Sequence, residues 1–346
     1  MLCADSRFYA SHFYSFATHI PPRQAIFITN LEPHAFHSYK AGRLLAKNGQ
    51  WRSDGAKSHD LISHSRSSQE PLDAPRLRMN VFKPYMDPTN DIMRVTILGS
   101  GTSAGVPTLG CRCEVCRSTN PKNKRMRASA YIEYRGSRFL IDCGPDFRTQ
   151  ALANGVEDVD FVLLTHAHAD HVGGIDDLRA FNMVHGHSIA IYGTPATLKE
   201  IRHRFAYCFQ PPPPGGGIPE LDLFEINGDF TVRGIPIRPV PVFHGRMPII
   251  GFRFERFAYL TDVSSIPEES FELLDNLDVL VTSALRQRPH PTHMSLDEAV
   301  AVAQRVGARQ TYFIHMCHSL EHEATNAMLP PHIQLAYDGL VFEVHS

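Results

Sequence analysis

The sequence has no run of about 18 consecutive apolar residues, so no stretch of it is expected to cross a bilayer as a helix. It also lacks the basic, then apolar, then small-residue opening of a secretory signal. An excess of charge of one sign is missing too. Lys and Arg number 34 against 36 Asp and Glu, a formal net charge of -2. A chain so nearly neutral gives no global reason to expect nucleic acid or an anionic membrane as partner. Nor is there a disulfide framework. The seven cysteines (Cys3, Cys111, Cys113, Cys116, Cys143, Cys208 and Cys317) are odd in number, and three of them crowd into CRCEVC. A small secreted scaffold would spread an even set. These absences predict a cytoplasmic protein with reduced or metal-bound thiols.

What is present is an ordinary globular balance. The 346 residues are 43% hydrophobic and 20% charged, enough chain to bury a large core. The 20 histidines are many, and a metalloprotein is the reading to test first.

Two regions differ in value. Residues 1–92 contain SHSRSSQEPLDAPR and scattered histidines, with no sustained period of 2 or 3.6. They read as a disordered extension outside the fold, ahead of a weak transit-peptide pattern or an early start codon. From Met93 the pattern becomes regular, and residues 93–346 read as one domain. Strand-like runs recur at RVTIL, SAYIEY, RFLID, VDFVLLT, SIAIYG, IPIRPVPVF, IIGFRFE, FAYLTD, LDVLVTS, QTYFIH and GLVFEV. Helical stretches lie between some of them: FRTQALANG, GGIDDLRAFNM, TPATLKEIRHRF, PEESFELLDNL and SLDEAVAVAQRVG. The last sets Leu296, Ala299, Val300 and Ala303 at helical spacing behind a Ser295 N-cap. PPPPGGG at 211–217 reads as a surface loop.

The chemistry concentrates in VLLTHAHADHVGG. A strand delivers His166, His168, Asp170 and His171 to a sheet edge, and Gly173 and Gly174 are expected to let the chain turn tightly into a helix. Imidazole nitrogen with carboxylate oxygen suits Zn, Mn or Fe rather than Ca or Mg. Four such groups within six positions crowd one ion and suggest two. The later sequence offers three more ligands, each closing a strand: His244, Asp262 and His315.

The set Asp142, HAHADH, His244, Asp262 and His315 resembles the metallo-β-lactamase superfamily across 93–346. The resemblance implies an α+β fold, a four-layered αββα sandwich with a dinuclear site at one edge. It implies one metal on His166, His168 and His244, and a second on Asp170, His171 and His315, with Asp262 bridging. Asp142 would order the loop. Asp rather than Cys at 262 points away from the zinc β-lactamases toward phosphodiesterases.

CRCEVC spaces Cys111, Cys113 and Cys116 as soft ligands for a structural zinc, one ligand short of a tetrahedron. His318 is the expected fourth ligand, and Cys317 competes for the place. With GSGTSAGVPTLGCRCEVC at 99–116, this narrows the resemblance to the PhnP family, the phosphoribosyl cyclic phosphodiesterases.

The implied chemistry is hydrolysis of a small, cyclic phosphodiester by a hydroxide bridging two divalent ions (Zn or Mn), which lower the pKa of water from about 15.7 to about 7. Asp170 is counted as catalytic as well as a ligand. His293, in HPTHMSLDEA, is expected as the general acid for the leaving alkoxide, with His290 as local rival. GSGTSAG offers backbone amides to phosphate only weakly, and KNKRMR at 122–127 reads as a solvated basic face. The expected partner is a small-molecule phosphodiester; neither membrane nor nucleic acid is expected, and a homodimer is allowed. The rival readings are a tRNase Z-type nuclease, a glyoxalase II-type thioester hydrolase and a non-enzymatic metal-binding protein.

Overall fold

A computed structural model describes residues 91–211 and 217–345 of the chain. The expectation for 1–92 therefore lies outside the described residues except at Asp91 and Ile92, and Ile92 already belongs to the first strand. All but two residues of the PPPPGGG loop lie outside them as well.

Strands β1 (Ile92–Gly99), β2 (Ser129–Tyr134) and β3 (Ser137–Ile141) form an antiparallel meander. Strands β4 (Phe161–Leu163), β5 (Ile189–Gly193) and β6 (Leu221–Glu225) extend it in parallel. The chain then builds a second sheet. Here β7 (Phe230–Val232), β8 (Ile235–His244), β9 (Met247–Phe254) and β10 (Phe257–Leu260) run antiparallel. Strands β11 (Val279–Ser283), β12 (Gln310–Ile314) and β13 (Ile333–Leu335) follow in parallel. Finally β14 (Leu340–His345) returns to the first sheet beside β1. Each sheet has seven strands among the described residues, ordered β14-β1-β2-β3-β4-β5-β6 and β13-β12-β11-β10-β9-β8-β7.

Helix α1 (Glu114–Arg117) is a single turn within the cysteine loop. On the outer face of the first sheet lie α2 (Phe147–Asn154), the single-turn α3 (Ala169–Val172), α4 (Arg179–His185) and α5 (Pro195–Arg204). The second sheet is covered by α6 (Glu268–Phe271), α7 (Leu296–Val306) and α8 (His322–Asn326).

The period-2 geometry of strands explains why the core strands read as nearly unbroken apolar runs. Along β2, Ala130, Ile132 and Tyr134 face the layer between the sheets, while Tyr131 faces the outer helices. In β3, Phe139 and Ile141 point inward and Leu140 outward; in β4, Phe161 and Leu163 point inward and Val162 outward. Both faces of these strands are dry over their central residues, so the charged Glu133 and Arg138 fall together near the strand ends, where they are only half-buried. Three apolar layers result: one between the sheets, one under each set of helices. This is the expected αββα sandwich.

Ser295 caps α7 as expected and completes a capping box: Glu298 Oε2 accepts from the Ser295 amide at 2.7 Å. Sequence periodicity misses β6, β7, β13, α1 and α8. Each is five residues or fewer, too short for a period to declare itself. The predicted helices at 173–183 and 267–277 are also shorter and mixed with 3₁₀ turns.

Candidate metal centre

Strand ends from both sheets deliver the polar residues to one edge of the sandwich. Asp142 follows β3, His166 and His168 follow β4, and His244 closes β8. Asp262 lies just past β10, and His315 follows β12. Asp142, Asp262 and His315 all adopt positive φ, at 61°, 57° and 56°. Asp and His enter the left-handed region more readily than most residues, yet it costs on the order of 1 kcal/mol or more each. The strand ends hold this strain where the side chains gather.

Two adjoining donor groups form. In each, the ligand atoms lie within 4.8 Å of one another: His166, His168 and His244 in one, Asp170, His171, Asp262 and His315 in the other. All seven expected ligands are thus brought together. A third group overlaps them, of His244, Asp262 and His293.

The ring orientations follow from hydrogen-bond accounting. Asp142 is fully buried and accepts from the Thr165 amide at 2.9 Å and the Thr165 hydroxyl at 2.8 Å. That hydroxyl has spent its proton, so at 3.0 Å it accepts from His166 Nδ1. His171 Nδ1 donates to Asp142 Oδ2 at 2.7 Å, and His244 Nδ1 donates to the Thr292 carbonyl at 2.7 Å. Three imidazoles are therefore anchored through Nδ1 and present Nε2 to the cluster, the orientation that outer-sphere partners impose on metal-ligating histidines. His166 Nε2, His171 Nε2 and both ring nitrogens of His315 are buried without a hydrogen-bond partner among the described residues.

The electrostatics fit a cation. Burial alone would raise Asp262, but His315 and His171 hold it well below the carboxylate range. Burial opposes charge on His171, yet Asp262, Asp142 and Asp170 override it and favour a second proton. Asp262 Oδ2 and Asp170 Oδ2 lie 3.0 and 3.2 Å from His171 Nε2. A field that would protonate His171 at Nε2 is one that a divalent ion between the same groups would satisfy. His166 is pushed well below its ordinary value, first by burial and then by His171, leaving it neutral as a ligand must be.

His293 lies at the rim. Its Nδ1 is 3.9 Å from Asp262 Oδ1, and its ring is 4.9 Å from His315 and 5.1 Å from His290. Burial, then His315, pushes it down to about 3. The protein groups alone leave it neutral, so an acid role would not come from a raised pKa.

The cysteine cluster assembles beside this edge. Cys111, Cys113, Cys116 and His318 place one ligand atom each within 4.8 Å of the others. His318 Nδ1 stands 3.4 Å from Cys116 Sγ and 3.9 Å from Cys113 Sγ. The amides of Thr108 and Cys116 donate to the Cys116 and Cys113 sulfurs, both at 3.4 Å. Cys317 Sγ turns aside, 3.1 Å from Ser319 Oγ.

Three readings of the sequence are revised. Gly173 and Gly174 keep ordinary negative φ, so they are not needed for turning; a Cβ would collide with the Ala169 carbonyl at one and the Gly144 carbonyl at the other. Within GSGTSAG the amides of Gly101, Thr102 and Gly105 already donate to the Met126, Met316 and Thr102 carbonyls, and that of Ser100 to Asp338, so most of the loop is committed to the fold rather than open to a phosphate. KNKRMR is not a solvated face. Arg125 is 2% exposed and donates to the Cys317 and Leu320 carbonyls, while Arg127 pairs with Asp146 at 2.8 Å.

The family model of the β-lactamase superfamily domain matches residues 137–316. A solved diphosphatase from the PhnP family is 43% identical, covering 73% of this chain and 97% of its own, with a TM-score of 0.69. A Porphyromonas gingivalis protein named octanoyltransferase is 42% identical over 253 residues, 72% of this chain but only 51% of that protein. The chain thus spans about half the length of that relative. A ribonuclease Z from Mycolicibacterium paratuberculosis is 27% identical, covering 65% of this chain and 86% of the relative.

Proposed function

The chain belongs to the metallo-β-lactamase superfamily, in its PhnP-like branch, and from that footing we propose a metal-dependent hydrolase of small phosphodiesters, cyclic ones included. The observation that carries the reading is the meeting of seven donor side chains from both sheets, with buried imidazole nitrogens that make no hydrogen bond among the described residues. His166, His168 and His244 would hold one divalent ion (Zn or Mn), and Asp170, His171 and His315 a second, with Asp262 between them. Bound there, such ions supply an activated water and a counter-charge for phosphoryl oxygens. Cys111, Cys113, Cys116 and His318 would hold a structural zinc.

The protein's own groups set the rest. Asp142 and Thr165 fix the His166 and His171 rings, and the Thr292 carbonyl fixes His244. His293 is the proposed proton donor to the leaving alkoxide, a role that needs the negative charge of a bound phosphodiester beside the ring, because the protein groups alone leave it neutral. It is the imidazole outside the seven that adjoins Asp262. Octanoyl transfer is not carried over, because this chain matches only 51% of the protein that bears the name.

A substrate screen tests the reading: bis(p-nitrophenyl) phosphate, cyclic ribose phosphates, small diphosphates and precursor tRNA. Turnover of small esters without tRNA cleavage supports it. Cleavage of precursor tRNA alone would hand the site to the nuclease reading, which the ribonuclease Z similarity favours. His293→Gln should slow esters with alkoxide leaving groups by about 100-fold and nitrophenolate esters far less, since a good leaving group needs little protonation. Equal losses on both would remove His293 from the acid role.

A further inference from the structure

Of the five imidazoles in the two donor groups, three are anchored through Nδ1, by Thr165, Asp142 and the Thr292 carbonyl. His315 has no such bond, but it is buried, and its ring lies near-parallel to those of His171 and His293 at 6.0 and 4.9 Å. His168 has neither support. It is exposed, and its ring makes no hydrogen bond among the described residues. A ligand free to turn about its side-chain bonds loses that freedom when an ion binds, which weakens binding. Whatever fixes His168 must therefore act through the backbone.

Helix α5 supplies that support. Leu198 and Ile201, three residues apart, bury one face of the helix in the layer under the first sheet. A further step of three brings Arg204, in the last turn, to the same side. Its Nη1 donates to the Ala167 carbonyl at 2.6 Å. Ala167 stands between His166 and His168, and no backbone amide among the described residues bonds to its carbonyl. Glu200, one turn back on α5, pairs with the same guanidinium at 3.5 Å. The 3₁₀ turn that follows, Ala206–Phe209, ties down the loop again further on, where the Tyr207 hydroxyl donates to Asp176 Oδ1 at 2.6 Å. One short segment thus grips the histidine loop on either side of Asp170 and His171.

We propose that Arg204 is a positioning residue for the metal centre: by holding the Ala167 carbonyl it fixes the peptide that carries His168, and so sets the affinity of the ion that His166, His168 and His244 would share. The inference rests on the metal-dependent reading of that site. A guanidinium suits the task because a charge-assisted bond to a carbonyl is about twice as strong as a neutral one. It does for His168, through the chain, what Thr165, Asp142 and Thr292 do for the other rings directly.

The test reads ion release rather than turnover. The full chain loaded with Co(II) would be challenged with a chelator, in the wild type, Arg204→Gln and Arg204→Lys, and the departing ions followed by elemental analysis and by the visible spectrum. Cobalt held by thiolates gives an intense charge-transfer band, so the cysteine site serves as an internal control. In Arg204→Gln one of about three ions should leave about tenfold more readily, with the thiolate band unchanged. Arg204→Lys keeps a cationic donor and should restore part of the difference. Unchanged release in Arg204→Gln overturns the proposal and leaves the metal reading standing. So does a loss of all the ions together, the mark of a residue that merely holds the fold. A wild-type chain that takes up cobalt at the cysteine site alone, or not at all, sinks the metal reading and the proposal with it.

Discussion

His322, the first residue of α8, is buried to 1% exposure, its Nε2 accepting from Asn326 Nδ2 at 3.0 Å. Burial, reinforced by Lys122, pushes its pKa down to about 4. The unfolded chain takes up a proton near pH 6.5 that the folded chain refuses until about pH 4. Folding stability should therefore fall as pH drops through that window and level off below it, by on the order of 3 kcal/mol at most. Urea midpoints against pH should show a shallower fall in His322→Gln than in the wild type. Parallel curves would mean His322 is not the group that titrates. At this scale the sequence announces ligands better than their supports. HAHADH is compact and legible, but Thr165 and Asp142 are 23 positions apart and Thr292 orients His244 from 48 positions away. Nothing in local spacing pairs them. Arg125 misleads for a related reason: its basic neighbours suggest a wet surface, and only the fold shows the carbonyls that receive its guanidinium.

The N-cap of α7, Ser295, lies two residues after His293, so its capping box steadies the segment that carries the proposed acid. Ser295→Ala removes the acceptor for the Glu298 amide and should cost about 1 kcal/mol of stability, read as a lower thermal midpoint. An unchanged midpoint would mean the cap is redundant. The long, periodic α7 and the apolar strands are legible because one rule, burial of a face or of two, governs many residues at once. Short elements obey contacts from elsewhere. Strand β13 is three residues held by β12, and α1 is a turn within the cysteine loop, where Cys113 serves as its N-cap. The glycines beside the histidine loop belong here too. For Gly174 the reason is the close passage of Gly144, which itself lies against the Asp170 carbonyl, and no local pattern records it.

The whole described sandwich is joined by aromatic side chains between the sheets. Phe139 stacks on Phe161 at 4.5 Å and meets Phe254 of the opposite sheet at 5.5 Å. Phe139→Ala should destabilise by about 3–5 kcal/mol, measured by urea unfolding, because the cavity would open where both sheets meet. A loss under about 1 kcal/mol would mean that the sheets repack freely across this layer. The donor cluster depends on that rigidity, since its residues come from strand ends of both sheets.

Metal content of the full chain, counted by elemental analysis alongside hydrolysis of bis(p-nitrophenyl) phosphate, tests the central claim most directly. The account predicts about three divalent ions per chain, with hydrolysis lost on chelation. It predicts about two ions in Cys111→Ser, with the catalytic pair retained. A chain that hydrolyses the ester at full rate after every ion has been removed would contradict it.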